Sequence, residues 1–333
     1  MRLLVAGGAG YLGSALIPKL LERGYKIDVV DLFWFGNHLP GEVGILHKDI
    51  FDLCVADLAG YDQVVFLAGL SNDPMAEFSP SKNFIFNAAA PAYLAYIAKR
   101  AGVKRYIYAS SCSVYGYTED ELFDETRPVS SSYPYGISKL QGEQAVINLV
   151  DSGFSVISLR KGTVSGYSPR MRLDLIINTM FKCAVQDREI TVNNPSIWRP
   201  IISVDDAVSA YIRAVEASDK ISGIFNVASS NYTVGEVADQ VENEVEERLG
   251  ISVRLNIKHN KDVRNYKVSV EKARNVLSFH PRHDVRCIVR NLVENMDKFS
   301  DWSNPAYYNI ETFRLLDTGK GANSKIALAS SVA

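Results

Sequence analysis

The chain begins Met1-Arg2-Leu3-Leu4-Val5-Ala6-Gly7-Gly8-Ala9-Gly10-Tyr11-Leu12-Gly13-Ser14, a short apolar run that breaks into glycines and then enters a helical pattern. Leu3 to Ala6 read as a strand, and Gly7, Gly10 and Gly13 stand at the spacing of a dinucleotide-binding fingerprint. The glycines serve a tight turn, close approach of backbone to a pyrophosphate, and close packing of helix on strand. The pyrophosphate then rests on unpaired N–H groups at the positive end of that helix. The bland alternative is a glycine-rich strand-to-helix turn with no ligand. A second apolar run, Tyr25 to Asp31, argues against it, because it ends in an acid where the ribose hydroxyls of an adenosine should lie. A carboxylate there repels the additional phosphate of NADP and favours NAD.

Of 333 residues, 47% are hydrophobic and 22% charged, the balance of an ordinary globular protein. The 36 basic and 38 acidic residues leave no basic excess to neutralise a nucleic acid backbone, so none is expected as a partner. Cys54, Cys112, Cys183 and Cys287 are scattered, with neither the pairing of a zinc site nor the density of a disulfide framework. No metal is expected, and a reducing compartment fits. The first strand begins at Arg2, which leaves no room for a signal peptide, and no run approaches the roughly 18 apolar residues of a membrane helix. The expectation is a soluble, cytoplasmic protein without a membrane partner.

Strand-like runs alternate with helical segments through the first half: Leu3–Ala6, Ile27–Val30, Gly44–His47, Gln63–Ala68, Tyr106–Ser110 and Phe154–Leu159, with helices near 11–23, 82–101 and 134–152. Parallel strands need crossover helices, so this rhythm implies an α/β fold, a Rossmann-type doubly wound parallel sheet. The turn-rich stretch from Lys161 to Pro200 breaks the rhythm and begins a smaller mixed α/β lobe. Ile201–Val204 and Ile224–Val227 read as strands returning to the sheet, and Asp206 reads as a helix cap. The end, 317–333, is small and polar with little periodicity and reads as a disordered tail.

A second signal lies in the middle. After the strand at Tyr106 comes Ser110-Ser111-Cys112-Ser113-Val114-Tyr115, and further on Tyr133-Pro134-Tyr135-Gly136-Ile137-Ser138-Lys139. Tyr135 and Lys139 are one helical turn apart and share a face. A free phenol titrates near 10, too high to take a proton at neutral pH; lowering that by about three pH units takes roughly 4 kcal/mol of differential stabilisation. A neighbouring ammonium and an oxidised nicotinamide ring can supply it. Ser111, at the C-terminal end of a strand, then orients a substrate alcohol. Alone, such a Tyr and Lys are a surface pair.

The order of glycine turn, acid, serine cluster and Tyr-x-x-x-Lys resembles the extended short-chain dehydrogenase/reductase family, in its NAD-dependent nucleotide-sugar epimerase/dehydratase branch. The resemblance spans roughly residues 1–300 and implies the following roles. Gly7, Gly10, Tyr11, Leu12 and Gly13 hold the NAD pyrophosphate, Asp31 the adenosine ribose, and Asp49 with Ile50 flank the adenine. Leu67, Ala68 and Gly69 lie beneath the cofactor and Asn87 supports it. Ser111, Tyr135 and Lys139 form the catalytic triad, the last two also touching NAD. Thr163 joins the substrate site, Arg199 reaches the nucleotide phosphates, Arg264 lies in a similar segment, and Arg170 with Arg172 form a substrate loop. Residues 1–160 are then the NAD-binding domain with 201–230 returning to it, and 161–200 with 231–316 the nucleotide-sugar lobe. The branch commonly forms homodimers through helices 82–101 and 134–152.

Within that branch, 4,6-dehydratases carry Asp-Glu after the serine and decarboxylases a glutamate, where this chain has Cys112-Ser113. The elimination machinery is absent, which leaves C4 epimerisation through a transient 4-keto sugar with retained NAD. Cys112 keeps a 3,5-epimerase open, since a thiolate there exchanges protons beside a ketone. A C4 dehydrogenase or reductase uses the same triad. A non-enzymatic NAD-binding regulator has no need of it.

Overall fold

A computed structural model of the chain describes residues 1–129, 131–259 and 264–317. In chain order the strands are β1 (Arg2–Ala6), β2 (Lys26–Asp31), β3 (Gly44–His47), β4 (Gln63–Phe66), β5 (Arg105–Ser111), β6 (Tyr117–Phe123), β7 (Ser155–Lys161), β8 (Thr163–Ser165), β9 (Glu189–Asn193), β10 (Trp198–Ser203), β11 (Gly223–Val227), β12 (Ser230–Thr233), β13 (Arg254–Lys258) and β14 (Asn265–Val268). The helices are α1 (Gly13–Leu21), α2 (Asp73–Phe78), α3 (Pro80–Phe84), α4 (Ala90–Arg100), α5 (Pro134–Ile147), α6 (Ile176–Asp187), α7 (Val204–Glu216), α8 (Val234–Leu249), α9 (Glu271–Leu277), α10 (Val285–Glu294) and α11 (Asn309–Asp317).

Seven strands pair in parallel in the order β3-β2-β1-β4-β5-β7-β11. Side chains alternate across a strand, so Leu3, Val5, Ile107 and Ile157 face one way, toward Leu16, Ile17 and Leu20 of α1 and Tyr211 of α7. Leu4, Val64, Tyr106 and Val156 face the other, toward Leu94 and Ala98 of α4 and Val146 of α5. Both faces are thereby dry, which is why the strands read as continuous apolar runs. The order reverses between β1 and β4, and the loops leaving them diverge into a crevice at their C-terminal ends.

The smaller lobe has its own core, in which Met180 and Phe181 of α6, Val237 and Val241 of α8 and Ile288 and Leu292 of α10 meet. Here the expectation at Ile201–Val204 is corrected. Residues 198–203 form β10, which pairs with β8 and β12 in a three-stranded sheet, and Val204 already starts α7. Ile224–Val227 does join the large sheet, as the edge strand β11. Both runs are short and apolar, and their period does not encode which strand they pair with.

The helix expected at 82–101 is broken into α3, a π-helical turn over Ile85–Ala89, and α4. Such turns often mark functional sites, and this one carries Asn87. The helix expected at 134–152 stops at Ile147. Asp206 is not a cap: Ser203 accepts the Asp206 N–H, and the Asp206 carboxylate instead holds the Arg282 and His283 N–H groups and the Ser229 hydroxyl. The tail expected at 317–333 lies outside the described residues from 318 onward; Asp317 itself ends α11 and pairs with Lys82 at 2.6 Å.

Beneath the crevice, α5 is fastened to β7 by a buried ion pair. The Arg160 fork donates to both Glu143 oxygens at 2.6–3.1 Å, and Ser158 Oγ donates to the same carboxylate at 2.9 Å. Removing one partner strands the other charge in a dry site. Glu143→Leu is predicted to cost about 3–5 kcal/mol in urea unfolding, with Glu143→Leu/Arg160→Met recovering most of that loss.

Candidate active site

At the end of β1 the backbone turns at Gly7, whose φ is +77° and where a Cβ would lie 2.4 Å from the Ala68 nitrogen. A Cβ at Gly13 would lie 2.3 Å from the Gly8 carbonyl oxygen. Side chains are thus barred at Gly7 and Gly13, and both glycines line the crevice with Gly10. Gly8, which the spacing passes over, packs against Val29 and Ile17. Asp31 ends β2, and its carboxylate accepts from the N–H groups of Ala9 and Phe33, each at 2.9 Å. Burial pushes the Asp31 carboxyl up, and those donors pull it back. Asp49 and Ile50 line a hollow with Asp31, Leu67, Ala68 and Gly69. The Asp49 carboxylate is engaged by the Phe51 N–H at 3.0 Å. Phe33, Trp34, Phe35 and Phe86 complete the walls; the aromatic run directly after Asp31 was the available sequence signal for the first three.

A cavity of about 530 Å³ shares Gly7, Gly10 and residues 67–69 with that hollow. The large sheet and its helices line it with Tyr11, Leu12, Gly13, Ser111, Tyr135 and Lys139, and the smaller lobe with Thr163, Arg170, Arg172, Arg199 and Arg264. Ser111 closes β5; its hydroxyl donates to Ser113 Oγ at 3.0 Å and its oxygen accepts the Ser113 N–H at 3.2 Å, which leaves one lone pair for another donor. Lys139 Nζ donates to the Ala109 carbonyl at 2.9 Å. Burial pulls the Lys139 ammonium down to about 7. Burial also raises the Tyr135 phenol above its ordinary value, while hydrogen bonding to Ser111 lowers it. Without the nicotinamide ring on which the expected lowering of the phenol also rests, desolvation dominates, and the protein by itself holds both groups toward their neutral forms.

Asn87 Nδ2 donates to the Leu70 carbonyl and to Asn83 Oδ1, each at 2.8 Å. Its buried Oδ1 has no hydrogen-bond partner among the described residues, and a Cβ on Gly69 would lie 2.3 Å from it. Cys112 is corrected as a catalytic candidate. Its thiol is 1% exposed, donates to the Arg160 carbonyl at 3.1 Å, and packs with Val114, Tyr115 and Val268, away from the cavity. A residue following a strand-end serine points to the opposite face of the sheet. Burial raises the thiol, which disfavours a thiolate there.

On the far side, Arg172 grips Asp174 through two bonds of 2.8 and 3.0 Å, and Arg264 bonds Asp73 across the crevice. Arg199 donates to the carbonyls of Trp198 and Arg264 and stands 5.4 Å over the Tyr266 ring. Lys161, also on the cavity wall, donates to the Ser110 carbonyl at 2.7 Å.

A barred glycine turn at a sheet's switch point, a strand-end acid beneath it and a Ser/Tyr/Lys group across the crevice define a Rossmann-type, nicotinamide-dependent enzyme. The profile of the NAD dependent epimerase/dehydratase family matches residues 3–228, and the chain belongs to that family. It is 26% identical over 329 residues to a UDP-glucose 4-epimerase of Corynebacterium glutamicum, covering 92% of this chain and 99% of that protein. It is also 25% identical over 305 residues to UDP-glucuronic acid decarboxylase 3 of Arabidopsis thaliana, covering 86% of each. Among solved structures, MoeE5 in complex with UDP-glucuronic acid and NAD superposes with a TM-score of 0.79 at 26% identity, covering 90% of this chain and 99% of that one. NAD is the cofactor of this enzyme, and the glycine turn, Asp31 and the orphaned Asn87 Oδ1 fit it.

The depressed Lys139 leads to a pH effect of fixed sign. Between about pH 7 and the ordinary lysine value of 10.5, the unfolded chain binds more protons than the folded one. Burial of Lys139 therefore costs stability below that window, and the cost fades as pH rises through it. Lys139→Met is predicted to shrink the rise in melting temperature of the NAD-free protein across that range, measured by calorimetry.

Proposed function

We propose that the chain is a nucleotide-sugar C4 epimerase that keeps its NAD through turnover. The observation that carries this reading is the acid content of the cavity. Among the described lining residues the carboxylates are Asp73 and Asp174, and each is met by an arginine, Arg264 and Arg172. An elimination needs an acid and a base beside the serine, where Cys112 turns away and Ser113 offers a hydroxyl. A 3,5-epimerase needs a proton carrier beside the ketone, and the buried Cys112 thiol is out of reach of the cavity. Proton removal and return by Tyr135 is what remains.

Ser111 Oγ and the Tyr135 hydroxyl hold the sugar's C4 alcohol, and Tyr135 takes its proton as a general base. Bound NAD supplies a reversible hydride acceptor and a positive ring that favours the Tyr135 phenolate. Lys139, anchored on the Ala109 carbonyl, places its Nζ on the same cavity wall as Tyr135. After rotation of the flat 4-keto sugar, Tyr135 returns the proton to the opposite configuration. Arg199 and Arg264 receive the nucleotide's diphosphate, while Thr163 and Arg172, whose charge acts on Tyr135, lie toward the sugar. The name of the Corynebacterium relative supports UDP as the nucleotide.

Cofactor binding falls to residues 1–160 with β11, and substrate binding to 161–200 and 231–316. The enzyme is a homodimer in this reading, supported by the exposed apolar side chains Phe84, Ile85, Tyr96 and Ile137 on the helices from α3 to α5. A cytoplasmic location is supported by four free cysteines; among the described residues, no helix is long and apolar enough to cross a membrane. Tyr135→Phe is predicted to lower C4 epimerisation of UDP-sugars by about 10²–10⁴-fold while leaving NAD affinity by calorimetry nearly unchanged. Turnover close to the parent rate would remove Tyr135 from the chemistry.

A further inference from the structure

We propose that Arg170 binds the cofactor and not the sugar nucleotide: its guanidinium, with the N-terminal end of α1, forms the anion site for the NAD diphosphate. Arg170 is 3% exposed, yet among the described residues no carboxylate pairs with it, and its Nε has no hydrogen-bond partner. This sets it apart from Arg172 and Arg264, whose charges meet Asp174 and Asp73. A guanidinium stays protonated in proteins, and one buried without a counter-charge is costly unless an anion joins it. Burial pulls Arg170 down to about 9, the direction a missing anion produces. The side chain is nevertheless held in place. One terminal nitrogen donates to Asn309 Oδ1 at 2.6 Å, and the guanidinium carbon stands 3.7 Å over the Phe35 ring. A fork that is fixed and unneutralised awaits an anionic ligand.

Its surroundings name that ligand. The segment carrying Arg170 is laced to the glycine turn and the start of α1. Tyr11 OH donates to the Gly166 carbonyl at 2.5 Å, and Ser168 Oγ donates to the Tyr11 carbonyl at 2.5 Å. Ser14 Oγ lies 2.9 Å from Ser168 Oγ and accepts from the Arg170 N–H at 3.2 Å. Arg170 lines the cavity beside Gly10, Tyr11 and Gly13, and the charge of Asp31, the ribose acid, acts on it. Arg199 and Arg264 sit together elsewhere, joined through the Arg264 carbonyl. The phosphates within reach of Arg170 are those lying on the N-terminus of α1, the dinucleotide's own. A residue of the smaller lobe thereby clasps a cofactor seated on the large sheet, which accounts for an NAD that stays bound.

The experiment is calorimetric titration of NAD into protein stripped of nucleotide, for the parent, Arg170→Gln and Arg170→Lys, with UDP titrated into the NAD-saturated forms. Arg170→Gln is expected to weaken NAD about ten- to a hundredfold, the worth of one charge-assisted pair, with UDP affinity within about twofold of parent. Arg170→Lys, which keeps the charge without the fork, is expected to fall between and guards against a misfolded glutamine variant. Unchanged NAD affinity in both variants, or a loss confined to UDP, would overturn the proposal. Because binding is read rather than turnover, the result stands apart from the C4 reaction: weakened NAD binding supports Arg170 whatever sugar carbon reacts.

Discussion

The contact on which this molecule depends is the approach of the Gly7 backbone to Ala68 where β1 and β4 part at the switch point. No side chain fits between them, since a Cβ at Gly7 would fall 2.4 Å from the Ala68 nitrogen. That closeness follows from the sheet order, because the strands after β1 run toward one edge and those after β4 toward the other. The crevice, the bare backbone at Gly7, Gly10 and Gly13 and the entry into α1 all descend from it. So does the position of Asp31, whose carboxylate is held by the Ala9 N–H of the same turn.

Around that crevice the protein stores charge that it does not itself neutralise. Lys139 is buried against a carbonyl, Tyr135 is held toward its neutral form, and Arg170 lies under the surface with no carboxylate paired to it among the described residues. The Arg170 charge is unfavourable in isolation and becomes favourable when the anionic diphosphate of the dinucleotide joins it, while the cationic ring favours the Tyr135 phenolate. The buried Arg160–Glu143 pair, by contrast, is complete within the protein, and it fixes α5 and hence Tyr135 and Lys139 to the end of β7. One set of charges builds the scaffold and the other receives ligands.

Much of this is legible in the chain. The continuous apolar runs from Leu3 to Leu159 give the strands because both faces of the sheet are dry, and the glycine spacing, Asp31, Ser111, Tyr135 and Lys139 converge on one crevice and its adjoining hollow as their order suggests. What was not legible depends on direction and pairing. Cys112 is one residue from Ser111, and the pleat alone sends it to the other side. Ile201–Ile202 resembles a sheet strand but pairs with β8. Asp206 reads as a helix cap, yet Ser203 is the residue that caps α7, accepting the Asp206 N–H, and the Asp206 carboxylate holds the turn at Arg282. Arg170 reads as part of a substrate loop, and only the hydrogen bonds of Ser168 and Ser14 bring it over the glycine turn.

The central claim is that Tyr135 acts at a single sugar carbon, C4, with no exchange of protons at its neighbours. The most direct measurement is NMR of UDP-, GDP-, dTDP- and CDP-sugars incubated with the enzyme in deuterated water. Inversion at C4 with no solvent deuterium in the sugar is the expected result. Deuterium at C3 or C5, or loss of water from the sugar, would contradict it.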